Sequence, residues 1–218
     1  MSSDAASGMS DQPTRRGVCL VLASAPGVGK TSVSRALLEM EPDLSLSISA
    51  TTRARRPGEL EGVHYFFRSQ AEFDAMADGG ELLEYARFLD RSYGTPRGPV
   101  EAALAAGRDV LFDIEWQGHL QLRRKLPDDV VGIHLLPPSL AELEHRLRGR
   151  AQESEAEIAR RLDVARAEMA HWTDFDHVLV NRDFDRTVAE VRAILHAARS
   201  TRARQPWLPG FVAGLLQD

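Results

Sequence analysis

The segment from Ala23 to Thr31 carries the residue types of a phosphate-binding loop. It reads Ala-Ser-Ala-Pro-Gly-Val-Gly-Lys-Thr and joins a short apolar run to an amphipathic stretch, as a loop between a strand and a helix would. In that context backbone N–H groups and the helix N-terminus cradle nucleotide phosphates, and glycines let the backbone aim those groups inward. The residues expected to meet the phosphates are Ser24, Ala25, Pro26, Gly27, Val28, Gly29, Lys30 and Thr31.

Two side chains of this loop could act on the phosphates directly. Lys30 would reach the β- and γ-phosphates, and the Thr31 hydroxyl would hold Mg²⁺. The match to the Gly-x-x-x-x-Gly-Lys-Ser/Thr pattern is imperfect, because Ser24 stands at the first glycine position and Pro26 removes one N–H donor. The alternative is a glycine-rich turn with a surface lysine, and the flanking strand and helix patterns argue against it.

A second ligand for the metal should lie at the end of a neighbouring buried strand. The apolar residues 110–112 end in Asp113, which has this form. We therefore predict Asp113 as a metal ligand beside Thr31, with a strand-end cap as the alternative interpretation. Glu115 follows two residues later and points the same way along the strand.

Short apolar runs alternate with amphipathic stretches, which is typical of βα units. The runs Val18 to Leu22, Asp109 to Ile114, Val130 to Leu136 and Val178 to Val180 predict strands, and Thr31 to Met40 predicts a helix. This pattern favours an α/β fold with three layers, α/β/α, around a mainly parallel sheet.

Further helices are indicated by capping boxes, in which a Ser accepts from the backbone while a Glu three residues on bonds back. The three pairs are Ser69 and Glu72, Ser139 and Glu142, and Ser154 and Glu157. Spacing then places Ile158, Leu162, Ala165 and Met169 on one helix face, and Val188, Val191 and Leu195 on another.

Two segments break the alternation. Residues 49–98 contain strand-like patches at Val63–Phe67 and Leu82–Phe88, which predicts a small, mostly β insert. Residues 146–166 are dense in arginine, which predicts a mobile helical flap. Its arginines are Arg146, Arg148, Arg150, Arg160 and Arg161.

Composition narrows the class of protein. The 218 residues are 43% hydrophobic and 27% charged, as in an ordinary globular chain, and the net charge of −5 argues against nucleic-acid binding. The uncharged stretch from Gly17 to Gly29 falls far short of the ~20 residues that a bilayer span needs. The single cysteine, Cys19, excludes an intrachain disulfide and a cysteine-cluster zinc site.

Several sequence blocks, in order, resemble the guanylate kinases, a family of P-loop nucleoside monophosphate kinases. The resemblance spans roughly residues 17–196. Besides the loop and the arginine-rich segment, the blocks are SISATTRARRPGE at 47–59, GVHYFF at 62–67, ELLEYA at 81–86, YGT at 93–95, DIEWQG at 113–118, PPS at 137–139 and VLVN at 178–181.

The resemblance implies the reaction of ATP with GMP to give ADP and GDP, with Mg²⁺ as cofactor and dGMP as a further acceptor. It also implies an organisation along the chain. We expect a disordered tail at 1–16, core segments at 17–48, 99–145 and 167–196, a GMP-binding insert at 49–98, a lid at 146–166 and an extension at 197–218.

Site residues carried over from the family fall into two groups. The GMP phosphate would meet Arg53, Arg56, Tyr65 and Tyr93, guanine would meet Ser49, Glu84 and Thr95, and Asp113 and Glu115 would also face GMP. On the ATP side, Arg146 and Asn181 would join the loop, and the catalytic residues would be Lys30, Arg53, Arg150 and Arg161.

Bidentate arginines and phenols suit a phosphate dianion. A carboxylate at Glu84 can accept from the N1–H and the 2-amino group of guanine together, whereas adenine lacks this donor pair. Departures from the family pattern are Ser24 in the loop, Glu115 where Asp is common, Thr95 where some members have Ser, and Ala151-Gln152 in the lid.

Three other hypotheses about the function remain open at this point. A catalytically inactive binding module would typically lack Lys30 and the phosphate-binding arginines, which are present. A kinase for a sugar phosphate would not need Glu84, and a nucleic-acid protein would favour a basic chain. We expect a cytoplasmic enzyme whose partners are ATP and GMP, without nucleic acid or membrane. The sequence leaves open whether the chain also forms an oligomer.

Overall fold

Mostly apolar strands of three to seven residues build the main sheet. The computed structural model of the chain describes residues 14–88, 90–149 and 154–217. Five strands form the main sheet in the order β2-β7-β1-β8-β9, and every pairing in it is parallel. Their bounds are β1 Cys19–Ser24, β2 Leu44–Leu46, β7 Asp109–Asp113, β8 Val130–Leu136 and β9 His177–Val180.

A second sheet of four strands has the order β4-β3-β6-β5. In it β3 pairs in parallel with β4, whereas β6 runs antiparallel to both β3 and β5. The bounds are β3 Ala50–Thr51, β4 Phe66–Phe67, β5 Leu82–Phe88 and β6 Arg91–Pro96. All four strands come from residues 50–96, so the described part of the predicted insert has its own sheet.

Eight helices complete the described residues. Their bounds are α1 Lys30–Met40, α2 Gln70–Asp78, α3 Arg97–Ala105, α4 Trp116–Lys125, α5 Leu140–Arg148, α6 Glu155–Met169, α7 Phe184–Arg199 and α8 Leu208–Leu215. Two 3₁₀ turns cover Ala170–Asp174 and Arg202–Arg204. None of the helices in the described residues is long and apolar enough to cross a bilayer.

Alternating side chains of β1 place the core on both faces of the main sheet. Leu20 and Leu22 pack into a cluster that α1, α5 and α7 cover, while Cys19 and Val21 pack into a second cluster covered by α3 and α4. Because successive side chains of a strand point to opposite faces, one strand feeds both clusters. The predicted three-layer α/β fold is confirmed.

Two local predictions need correction. The strand expected at Val63–Phe67 is only the two residues of β4, because Gly62 takes a positive φ of 72° and a turn follows, in which Leu60 N–H donates to His64 Nδ1. At α5 the Ser139 hydroxyl accepts from the Glu142 N–H, as expected. The Glu142 carboxylate, however, accepts from Arg146 Nε at 2.8 Å. This ion pair replaces the predicted hydrogen bond from the Ser139 backbone N–H to the Glu142 carboxylate.

The predicted disordered tail is wrong for Arg15 and Arg16. Arg15 donates to both carboxylate oxygens of the fully buried Asp109, at 2.7 and 2.8 Å. Arg16 binds Asp129 in the same bidentate way. Residues 1–13 of that tail lie outside the described residues.

Two further arginines, at the end of α7 and shortly after it, bind the same region of the chain. Arg199 Nε donates to Asp109 at 2.7 Å, and the buried Arg204 donates to the carbonyls of Gly17 and Asp129. Arg199 also pairs with Glu41, together with Arg192 and His196. Burial opposes ionisation of Glu41, but these hydrogen bonds outweigh it and lower its pKa to about 2.

A buried histidine cluster fills one side of β8. The Phe175 ring stacks on His119 at 4.2 Å and lies 4.9 Å from His134. Gly132 makes room for it, since a Cβ there would lie 2.3 Å from the His119 ring. His134 is fully buried, and neither of its ring nitrogens has a hydrogen-bond partner among the described residues. Burial, with His171 and His119 nearby, lowers the pKa of His134 to about 4.

Replacing His134 with Leu should protect the fold against acid. The folded-state pKa of about 4 lies below the value of 6.5 for a free imidazole, so the unfolded chain binds the extra proton. Stability due to this group therefore falls as the pH drops from about 6.5 to about 4, by up to about 3 kcal/mol. We expect His134→Leu to reduce this loss.

Denaturant unfolding at pH 7, 6, 5 and 4.5 measures the difference. The matched control is His177→Leu, which changes an exposed histidine on the neighbouring strand. Equal pH slopes for the two variants would contradict the assignment to His134.

Candidate active site

The loop between β1 and α1 owes its shape to two glycines. Gly27 has a φ of 90° and Gly29 a φ of 110°, a region that residues with a Cβ rarely adopt. Gly29 also precedes α1 without any side-chain cap, so the first N–H groups of that helix are not bonded to a capping side chain. These are the properties expected of an anion-binding helix start.

A cavity of about 270 Å³ opens above this loop. Its walls include the predicted Lys30 and Thr31, the end of α5, and α6. Arg161 and Glu168 of α6 and Glu115 also line it. The structure therefore brings the loop, one predicted lid arginine and two carboxylates around a single space.

Lys30 spans this end of the main sheet. Its Nζ lies 2.5 Å from Asp113 Oδ1 and donates to the carbonyl of Ile114 at 3.3 Å. The contact follows from the sheet, because β1 and β7 are paired with Leu22 opposite Asp113. The lysine predicted for phosphate binding and the aspartate predicted for metal binding are thus in direct contact.

Glu168 is a site residue that sequence reasoning missed. It is 8% exposed and lines the cavity, and its Oε2 has no hydrogen-bond partner in the described residues. Burial, and then the charge of Glu115, raise the pKa of Glu168 above its usual range. Its only sequence signal is its place three residues after Ala165, beside the apolar face of α6, and this does not distinguish it from the other charged residues of the helix.

The oxygen atoms around the cavity fit a magnesium ion. Mg²⁺ prefers hydroxyl, carboxylate and water oxygens as ligands. Thr31, Glu115 and Glu168 line the cavity and supply such oxygens, and Asp113 contacts Lys30 in the cavity wall. The unpartnered Glu168 oxygen gives an independent reason to expect a cation or a water bound to one there.

The predicted adenine side of the loop is held by Asn181. Its amide Nδ2 donates to the carbonyl of Val28 at 2.7 Å, and Arg146 Nη1 donates to the same carbonyl at 3.4 Å. Both side chains line a second cavity, with Phe184 on its wall. Asn181 therefore shapes the loop as well as facing the space beside it.

Among the predicted lid residues, Arg150, Ala151 and Gln152 lie outside the described residues. Arg161 lines the phosphate-loop cavity. Arg148 instead joins α5 to α6, because it donates to Glu144 and Glu155. Arg148 therefore links the two helices at the surface and is not among the residues that line the phosphate-loop cavity.

Four residues predicted for the GMP phosphate fall into one region of the second sheet. Arg53 lies over the Tyr65 ring at 5.3 Å, and the Tyr65 and Tyr93 rings meet edge-on with centroids 6.3 Å apart. Arg53 and Arg56 line a third cavity. Cations and phenols converge here, as binding of a phosphate dianion requires.

Glu59 binds both arginines of this cluster. Its Oε1 accepts from Arg53 Nη2 at 2.6 Å, and its Oε2 accepts from the Arg56 N–H at 2.7 Å. The Arg53 bond lowers the pKa of Glu59. Glu59 is the last residue of the sequence block at 47–59, and the sequence predicted no role for it.

Glu84 is the buried carboxylate of the second sheet. It is 6% exposed, its Oε1 accepts from Thr95 Oγ1 at 2.7 Å, and burial raises its pKa above the usual range. Ser49 lies on the neighbouring segment, where its carbonyl accepts from Phe66 N–H. The structure thus joins Glu84 and Thr95 directly, and it gives no direct contact between Ser49 and that pair.

Comparisons with known proteins agree with this arrangement. The family model described as Guanylate kinase matches residues 16–198. A guanylate kinase of Granulibacter bethesdensis is 57% identical over 201 residues, covering 92% of this chain and 94% of that protein. A guanylate kinase of Chelativorans sp. is 53% identical and covers 94% of both chains.

A solved structure is also similar. The crystal structure of guanylate kinase from Anaplasma phagocytophilum matches with a TM-score of 0.73 and 33% identity, over 93% of this chain and 96% of that one. The family model and the solved structure each match nearly the whole described chain, including the glycine loop. The chain therefore belongs to the guanylate kinase family.

Proposed function

We propose that this protein transfers the γ-phosphoryl group of ATP to GMP, giving ADP and GDP, with dGMP as a further acceptor. The observation that carries the assignment is Glu84, a buried carboxylate bonded to Thr95 on the sheet that also holds Arg53, Tyr65 and Tyr93. One small sheet thus holds a carboxylate that can bind a base and side chains that can bind a phosphate. This combination suits a nucleoside monophosphate whose base has an N1–H and a 2-amino donor.

On the ATP side, backbone N–H groups of the loop and α1 bind the phosphates, and Lys30 moves its charge from Asp113 to the β- and γ-phosphates. Mg²⁺ would be held by Thr31 and Asp113, and when bound it neutralises charge on the same phosphates. Asn181 and Arg146 line the adenine side of the loop.

On the GMP side, Arg53 exchanges its Glu59 partner for the phosphate of GMP, and Arg56, Tyr65 and Tyr93 add donors. A GMP phosphate oxygen then forms a bond to the γ-phosphorus while the bond to the ADP oxygen breaks in line. No protein nucleophile is needed. Ser49, Asp113 and Glu115 complete the proposed acceptor site.

The lid arginines neutralise charge that spreads over the equatorial oxygens during transfer. Arg161 already lines the phosphate cavity, and Arg150 stands with it in the proposed catalytic set. We assign residues 146–166 to the lid, residues 49–98 to the GMP-binding insert, and the rest of 17–196 to the core. Closure of lid and insert would exclude water from the reacting phosphates.

ATP and GMP are cytoplasmic metabolites, so we place the protein in the cytoplasm. Neither substrate requires nucleic acid or a membrane as a partner. The binding-module alternative is disfavoured by Lys30 and Arg53, which lie at the two phosphate sites.

Glu84→Gln should abolish the preference for GMP. The glutamine amide has one acceptor oxygen, so its NH₂ group would face one of the two guanine donors, N1–H or the 2-amino group. We therefore expect kcat/KM for GMP to fall by about 10²–10³-fold. A coupled ADP-release assay with MgATP and GMP, dGMP, IMP or AMP measures this. The control Glu81→Gln changes an exposed glutamate three residues away, and a loss of less than threefold in Glu84→Gln would refute the guanine assignment.

Lys30→Met should remove transfer and keep the fold. The variant loses a preorganised charge at the transferred group, so kcat with GMP should fall by about 10²–10³-fold. Arg35→Met, on an exposed face of α1, is the matched control and should keep wild-type kcat. Single-turnover rates measure the transfer step, and an unchanged rate in Lys30→Met would exclude the proposed role.

A further inference from the structure

The outer edge of β5 is bound by a helix. β5 is the end strand of the second sheet, so one edge of its backbone is not paired with a strand of the described residues. On that edge Gln121 of α4 donates from Nε2 to the Tyr85 carbonyl at 3.0 Å, and its Oε1 accepts from the Tyr85 N–H at 3.1 Å. One side-chain amide therefore supplies the pair of bonds that a neighbouring strand would supply.

A second contact lies one turn further along α4. Lys125 Nζ donates to the Leu82 carbonyl at 2.5 Å. Burial lowers the pKa of Lys125, as expected for an ammonium group packed against the strand. Residues 121 and 125 share a helix face, and their contacts at Leu82 and Tyr85 bracket Glu84.

The same face of α4 is shaped around the Glu84 carboxylate. A Cβ on Gly118 would lie 3.1 Å from Glu84 Oε2 and 3.2 Å from Ile114 Cδ1. Real Cβ atoms seldom approach other atoms so closely, so a side chain at 118 would press on the carboxylate. The helix offers space at Gly118, an amide at Gln121 and an ammonium at Lys125.

Helix α4 also continues from the phosphate-transfer end of the main sheet. It begins at Trp116, three residues after Asp113, the partner of Lys30. A fixed contact between α4 and β5 therefore fixes the Glu84 strand relative to Lys30.

We propose that Gln121 is a positioning residue for acceptor specificity, which holds the base-reading strand on the core through both polar groups of Tyr85. This rests on the proposed function, in which Glu84 reads guanine. Gln121 acts through Tyr85 and Glu84 and does not itself meet the substrate. Without it, Glu84 would lose its fixed position and GMP would bind less tightly.

Gln121→Met tests this, because Met keeps the length and apolar stem of the side chain and removes both hydrogen bonds. We expect KM for GMP to rise about tenfold, in line with the net value of one or two hydrogen bonds, while kcat and KM for ATP stay within twofold. The ratio of kcat/KM for GMP to kcat/KM for IMP should fall. IMP lacks the 2-amino group that donates to Glu84, so it loses less than GMP when Glu84 is displaced. Arg124→Met, an exposed change on the same helix, is the control.

Amide hydrogen exchange in the protein without nucleotide gives an independent readout. The Tyr85 N–H should exchange at least about tenfold faster in Gln121→Met, and the N–H groups of β1 should be unaffected. A lower melting temperature with unchanged KM for GMP, or equal losses for GMP and ATP, would overturn the proposal and leave Gln121 with a purely structural role.

Failure of the proposed function has a different signature. If Glu84→Gln leaves the preference for GMP over IMP unchanged, the guanine assignment is wrong, and the positioning proposal falls with it even when Tyr85 exchanges faster. If Glu84→Gln behaves as expected and Gln121→Met leaves KM for GMP unchanged, only the positioning proposal is wrong.

Discussion

The parallel register of three strands is the constraint on which the rest of the molecule depends. β1 lies between β7 and β8, with Leu22 opposite both Asp113 and Ile133. Because parallel strands send their carboxyl ends to one edge, the glycine loop after β1 and the carboxylate ending β7 must meet there. The Lys30–Asp113 contact is the direct result. Helix α4 starts beside this contact and binds β5 of the second sheet through Gln121.

Sequence patterns predicted the elements whose signals are local. β8 was predicted with its observed bounds, since a mostly apolar run interrupted only by His134 lies between Asp129 and Pro137, and β5 was predicted with equal accuracy. Gly27 and Gly29 signalled positive φ angles at the loop. The ordered sequence blocks then predicted which arginines and tyrosines gather on the second sheet, although no single block would have sufficed.

Other features depend on tertiary contacts that no short pattern encodes. Glu168 reads as one more charged residue of a helix rich in charge, until packing places it beside the phosphate loop. Glu59 and Gln121 act on partners whose position follows from the arrangement of elements. Arg15 and Arg16 resembled part of a polar tail, because the carboxylates that bind them lie about a hundred residues later.

Those last contacts bear on how the chain is completed during synthesis. Asp109 begins β7 and Asp129 directly precedes β8, the two strands that flank β1, yet part of their arginine shell comes from Arg199 and Arg204, which follow every strand of the main sheet. A buried carboxylate that lacks a partner destabilises a fold by about 3–5 kcal/mol. In a nascent chain Arg15 and Arg16 are the first partners available to these carboxylates, and their pairing is completed only once Arg199 and Arg204 have been synthesised.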